Sequence, residues 1–221
     1  LRPPVVNDET ITLSGVEAGD DLVVHFEQLV ENDYEFGVGN ADGLSLFSVQ
    51  NSVGGSVTIT DGDIVFTPTP GYDGQGAFDY TVIDPNGGVS TATATLNRAP
   101  NLLDDGPADE AIEIDVAFRI DPKELLLNDI DLDDPSGLGM TLTAVTNSLG
   151  GDLAQLDDGT IEFTPDTGGL ASFDYTVEDQ FGGSATATFH AHVSLETDTI
   201  VNVEIIEFDD AEITVTTLTD G

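Results

Sequence analysis

The chain repeats itself, and a duplication of this length leaves few folds open. GLSLFSVQNSVGG (Gly43 to Gly55) returns as GMTLTAVTNSLGG (Gly139 to Gly151), and IVFTP (Ile64 to Pro68) returns as IEFTP (Ile161 to Pro165). FDYTV (Phe78 to Val82) recurs unchanged at Phe173 to Val177. The openings also align, RPPVVND from Arg2 against RAPNLLDD from Arg98. The offset drifts by a residue around a common value, as loop insertions and deletions between matched strands produce. This spacing divides the 221 residues into units at 1–97 and 98–193, with a tail at 194–221.

Each unit reads as β structure. STATATL (Ser90 to Leu96) and ATATF (Ala185 to Phe189) alternate at period two, as half-exposed strands do. Turn signals punctuate them: Gly54-Gly55, Asp61-Gly62, Pro70-Gly71 and Pro85-Asn86-Gly87-Gly88, with partners in the second unit. About seven short strands in a unit of this size predict a Greek-key sandwich. The expected core is Leu46, Val57, Ile59, Ile64, Phe66, Phe78, Tyr80 and Val82, repeated as Leu142, Ile161, Phe163, Phe173, Tyr175 and Val177. The two tyrosines are expected in the core with their hydroxyls tied at an edge. One helical turn is expected in the second unit, with Asp121 as cap and Pro122 at the first helical position.

Charge sets the next constraint. There are 43 Asp and Glu against 4 Lys and Arg, a formal net charge of −39. Such a chain cannot neutralise phosphates, so nucleic acid is excluded as a partner, and anionic membrane surfaces are disfavoured. An apolar content of 39% argues against disorder. There is no cysteine and no apolar run that could cross a membrane, so neither disulfides nor direct membrane insertion is expected. The chain begins at Leu1 without a signal-like stretch, which predicts a fragment of something longer. The repulsion among so many carboxylates must be offset, by bound divalent cations or by high salt. A halophilic surface spreads its acids, whereas cation sites cluster them.

The acids cluster at three places per unit. Asn7, Asp8, Glu9, Glu17, Asp20 and Asp21 open the first unit; Asn101, Asp104, Asp105, Asp109 and Glu110 open the second. Next come Asn32, Asp33 and Glu35, with Asn40 and Asp42 further on, against Asn128, Asp129, Asp131, Asp133 and Asp134. Asp84 and Asp179 then precede Gly-Gly turns, and Asp84-Pro85-Asn86-Gly87 reads well as a simple β-turn. Alternating aspartates in a short turn suit calcium, which takes six to eight oxygens. DIDLDD is not an EF-hand, because Asp134 stands at the loop glycine and Met140 at the twelfth position. The competing reading is a solvated hairpin tip held by Asx-turns.

The order PVVNDE, LVEND, NSVGGSVTI, IVFTPTPGYDGQGAFDYTVIDPNGGVSTATATL resembles the bacterial cadherin-like tandem repeats of large secreted adhesins, and LLLNDIDLDD with FDYTVEDQFGGSATATF resembles them more closely still. The resemblance implies an all-β chain of two tandem Greek-key, cadherin- or Ig-like sandwiches with a short C-terminal β segment. It implies calcium as cofactor, a secreted or cell-surface location, and other cadherin-like modules as partners. By its motif it assigns Asp104, Asp105, Glu110, Asn128, Asp129, Asp131 and Asp133 to calcium in the second unit, and Asp8, Asn32, Asp33 and Glu35 in the first. The first unit departs from the pattern with Tyr34-Glu35-Phe36-Gly37 where an acid-rich turn is expected, which predicts a weaker site. The tail, TDTIVNVEIIEFDDAEITV, resembles the flanks of glycine-aspartate calcium repeats in RTX-type, type I secreted proteins, and a hairpin around Asp209-Asp210 is expected there.

An enzyme is not expected. No G-x-S-x-G elbow is present, and acids in turns lack the buried apolar setting that raises a catalytic pKa. His190 and His192, two apart, could bridge a transition metal with Glu196, but two exposed residues near a domain end is the favoured reading. The alternative function is a calcium-dependent carbohydrate-binding module acting on surface polysaccharide. The absence of Trp and the placing of most Phe and Tyr at core parity argue against it. Asp104 and Asp105 are expected where the two units meet, so that calcium held there would stiffen the pair into a rod.

Overall fold

The structure is a computed structural model that describes residues 2–72, 74–106 and 112–194. Glu110 and the tail hairpin expected around Asp209-Asp210 lie outside the described residues. Two sandwiches follow one another. The first contains β1 (Glu9–Leu13), β2 (Leu22–Val24), α1 (Phe26–Leu29), β3 (Ser45–Val53), β4 (Gly55–Thr60), β5 (Asp63–Pro68), β6 (Gly76–Ile83) and β7 (Val89–Arg98). The second contains β8 (Ile112–Glu113), β9 (Phe118–Ile120), α2 (Pro122–Leu125), β10 (Thr141–Leu149), β11 (Gly151–Gln155), β12 (Ile161–Pro165), β13 (Gly169–Glu178) and β14 (Ser184–Ser194).

Each sandwich pairs a four-stranded sheet, β1-β7-β6-β3 or β10-β13-β14-β8, with a three-stranded one, β2-β5-β4 or β11-β12-β9. The first and last strands of each unit, β1 with β7 and β8 with β14, run parallel. The other ladders are antiparallel. Each sandwich closes its own apolar core. Ile64, Phe66, Phe78, Tyr80 and Val82 are buried in one, and Ile161, Phe163, Phe173, Tyr175 and Val177 in the other. Leu46, Val57 and Leu142 pack against these cores half-buried.

Ile59 departs from expectation at 44% exposed. It lies beside buried Ile64 in the β4–β5 ladder, but β4 is the outer strand of its sheet. The expected tyrosine ties are present. The Tyr80 hydroxyl lies 2.9 and 2.8 Å from the Asn7 and Leu29 carbonyls, either of which accepts its single proton, and that of Tyr175 donates to the Leu103 carbonyl at 3.1 Å. The helical turn α2 also forms where expected, with Asp121 accepting the Lys123 N–H at 3.0 Å.

The duplication extends to irregularities. Asn51 and Asn147 adopt φ of 53° and 52° where the β3–β6 and β10–β13 registers slip. Asparagine tolerates this left-handed backbone better than most residues. Each side chain donates across the slip, to Asp79 and Asp174, at 2.7 Å.

Candidate metal sites and the junction between the sandwiches

The openings of β1 and of the second unit bring acids against the loops that follow the helical turns. In the first unit, Asp33 accepts the Asn7 N–H at 2.8 Å, and Asn7 reaches the Asn32 carbonyl and side chain. Asp8 accepts the Thr93 N–H at 2.8 Å, which pins it to β7. The second unit repeats the pattern. Asp129 accepts the Leu103 N–H at 2.9 Å, and Asp104 accepts the Thr188 N–H at 2.8 Å.

One oxygen of each inner carboxylate is left without a partner. Glu9 Oε1 and Asp33 Oδ2 are buried and unpaired in the first unit, as are Asp105 Oδ2 and Asp129 Oδ2 in the second. A buried, unpaired carboxylate is costly, and the cost appears as proton affinity. Burial pushes Asp129 from its ordinary 3.8 up to about 6, aided by the charge of Asp105 and opposed by the Leu103 N–H. Burial likewise raises Glu9, Asp33 and Asp105; the charge of Asp33 adds to the effect on Glu9, and that of Asp104 to the effect on Asp105.

The structure therefore gathers Asp8, Asn32 and Asp33 with Glu9 in one unit, and Asp104, Asp105, Asn128 and Asp129 in the other. It does not gather Glu35, Asp131 or Asp133 with them. Ile130 bridges to Asn101, so the segment is extended there, and an extended chain carries Asp131 and Asp133 progressively away from Asp129, at roughly 3.3 Å per residue. Glu35 accepts from Asn86 in the Asp84 turn at 3.2 Å. Asp131 and Asp133 enter the junction between the sandwiches. Asp84 forms the expected turn, its Oδ1 accepting the Asn86 and Gly88 N–H groups at 2.8 Å. Asn40 and Asp42 bond each other.

Asp104 and Asp105 were expected at the junction. They lie instead along β14, with the Asp105 N–H donating to the Thr188 carbonyl. The polar contacts across the junction come from the last residues of β7, where alternation lapses and Leu96, Asn97 and Arg98 are all buried. Arg98 donates through Nε to Asp133 Oδ1 at 2.6 Å, and its backbone N–H donates to Oδ2 at 2.6 Å. Its Nη2 donates to the Leu132 carbonyl at 2.8 Å. Asn97 donates to Asp179 at 3.0 Å, while its own Oδ1 and Asp131 Oδ2 are buried and unpaired. Sequence reasoning missed Asn97 and Arg98. The available signal was the arginine that opens both repeats.

Among the described residues, no three Asp, Glu or His side chains converge closely enough to hold a metal ion by themselves. The donors are carboxylate pairs with asparagines and carbonyls, an all-oxygen set that suits a hard cation and not a thiophilic one. Four of the orphaned oxygens, Glu9 Oε1 with Asp33 Oδ2 and Asp105 Oδ2 with Asp129 Oδ2, stand at equivalent positions of the two units and fit such an ion. His190 and His192 are exposed on one face of β14, with His190 3.9 Å from Asp104. Among the described residues, no helix is long and apolar enough to cross a membrane.

A family model for the cadherin-like domain matches the chain twice, over residues 2–99 and 96–194. No curated protein matches it. Among solved structures, the chain is similar to protocadherin gammaB7 domains EC3-6, at 14% identity over 87% of this chain and 48% of that one, with a TM-score of 0.28. It is also similar to the insect immune protein hemolin, at 14% identity over 93% of this chain and 54% of that one, TM-score 0.42. An endo-fucoidan hydrolase of glycoside hydrolase family 107 matches at 17% identity over 87% of this chain and 29% of that one, TM-score 0.29. The chain thus spans 29% to 54% of the lengths of these three structures.

Proposed function

The chain belongs to the cadherin-like domain family, and from that premise we propose that it is a calcium-binding adhesion or extender segment of an extracellular protein, not an enzyme. The observation that carries the calcium reading is the recurrence of two buried, unpaired carboxylate oxygens at the same place in both units. A cation there replaces an unfavourable desolvation with coordination. Asp8, Glu9, Asn32 and Asp33 hold it in the first unit, and Asp104, Asp105, Asn128 and Asp129 in the second. Glu35 and Asp131 belong to the ends of the modules, beside the Asp84 and Asp179 turns. Both Asp133 oxygens are engaged by Arg98, so its part is to fasten the junction. The module division is proposed at 97/98 and 193/194, one residue short of the ends of β7 and β14, and Glu110 is a further candidate ligand.

In this reading calcium stiffens each module from within. Partners are further cadherin-like modules, in a secreted or surface protein of RTX type. Calcium titration by calorimetry on the full chain tests it. Saturable binding that weakens in D33N and D129N is the expected result; absence of heat with stabilisation only by molar sodium chloride would favour the halophilic surface. Retention on insoluble polysaccharide only in the presence of calcium would move the assignment to a carbohydrate-binding module.

A further inference from the structure

Among the described residues, Arg98–Asp133 is the one ion pair with both side chains buried. A chain with 43 acidic residues has 4 basic ones, and one of these is spent inside the joint, 7% exposed. Asp133 is 6% exposed, and both its oxygens are taken by Arg98. The guanidinium also holds the Leu132 carbonyl of the second module, and the Gly74 carbonyl of the first at 3.3 Å. It therefore bonds to backbone on both sides of the boundary. Its planar fork, always charged, suits this multiple engagement better than an ammonium does.

The repeat supplies an internal comparison. Arg2 stands at the position of Arg98, but Gly37 stands at that of Asp133, and Arg2 instead lies over the Phe36 ring at 4.4 Å. The arginine recurs without its acid, so the pair is not a by-product of the module fold. It occurs where one module of this chain meets the next.

We propose that Arg98 is a built-in cation that locks the joint, so that the relative orientation of the two modules is held when no metal is bound. Modest contacts between domains leave relative motion as the default. Here a buried, multiply bonded ion pair removes that freedom, and Asn97, donating to Asp179, closes the joint's other side. The proposal goes beyond the calcium reading and holds whether or not calcium binds elsewhere.

The chain contains no cysteine, so labels are easily placed. T58C and S148C put one spin label on an exposed strand position of each module, and pulsed electron resonance then reads the distance between modules in the full chain. In excess chelator, the parent should give one narrow distribution. R98M, and the charge-neutral pair R98M with D133N, should at least double its width, with far-ultraviolet dichroism unchanged. The double variant keeps an acceptor for the backbone N–H of residue 98, which protects the fold. A parent distribution already broad in chelator, or variants as narrow as the parent, would overturn the proposal. Calorimetry of the same variants separates the two ideas: loss of the lock should leave calcium binding at Asp33 and Asp129 within twofold.

Discussion

Replacing Asp129 by asparagine should have opposite effects on stability with and without calcium. Asp129 is 9% exposed, with Oδ1 accepting the Leu103 N–H and Oδ2 unpaired. Asparagine keeps the acceptor and removes the buried charge. A rise from 3.8 to about 6 corresponds to ~3 kcal/mol at 1.36 kcal/mol per pH unit, reduced by solvent screening to roughly 2 kcal/mol. For a module of this size that is a gain of about 10 °C in Tm in chelator at pH 7.5. In calcium the sign turns, because the variant forgoes ~2.7 kcal/mol of binding stabilisation at a hundredfold excess over Kd. The pH dependence has a definite sign as well. With its folded pKa raised, Asp129 contributes stability fully present below about 3.8 and lost as pH rises through about 6. The parent in chelator should therefore melt progressively lower from pH 4 to 7, and D129N more shallowly. Scanning calorimetry at several pH values, with calcium and with chelator, reads all of this. A variant that loses the same Tm in both buffers would refute the reasoning, leaving Asp129 a hydrogen-bond acceptor and nothing more.

The two modules should bind calcium with similar affinity, against the weaker first site expected from the sequence, since Asp8, Glu9, Asn32 and Asp33 match Asp104, Asp105, Asn128 and Asp129 in charge; calorimetry on full-length D33N and D129N should show comparable losses. G151A should cost about 1–3 kcal/mol, because a methyl group there meets the Phe163 ring at 2.8 Å and the Thr164 carbonyl; urea melts monitored at the second module measure it. D121A should cost ~1 kcal/mol by uncapping α2, with calcium affinity unchanged in the same titration.

Local patterns carried most of the fold. Seven strands per unit, the α2 cap and both tyrosine ties follow from alternation, turn residues and the repeat. Ile59 was misplaced because parity gives the face of a strand but not its rank in the sheet, and β4 is outermost. The site was only partly legible. Acids close in sequence read as one loop, yet the Asn101–Ile130 bridge extends the chain, so that Asp129 stays beside Asp105 while Asp131, two residues further along, lies by Asp179. The role of Asn97 and Arg98 was hidden for a related reason. Their partners, Asp179 and Asp133, lie 82 and 35 residues away, and no local pattern encodes such a pairing.

The parallel pairing of first and last strands decides how a module resists being pulled. β1 and β7 lie side by side in register from Glu9↔Ala94 to Leu13↔Arg98. Tension that draws the start of β1 away from the end of β7 acts along the ladder, so its hydrogen bonds are loaded in shear and must fail together. A hairpin-type closure would unzip them one at a time. Arg98 is both the last residue of that ladder and the side chain seated in the next module. Force crossing the joint thus enters the first sandwich through its shear-loaded strand.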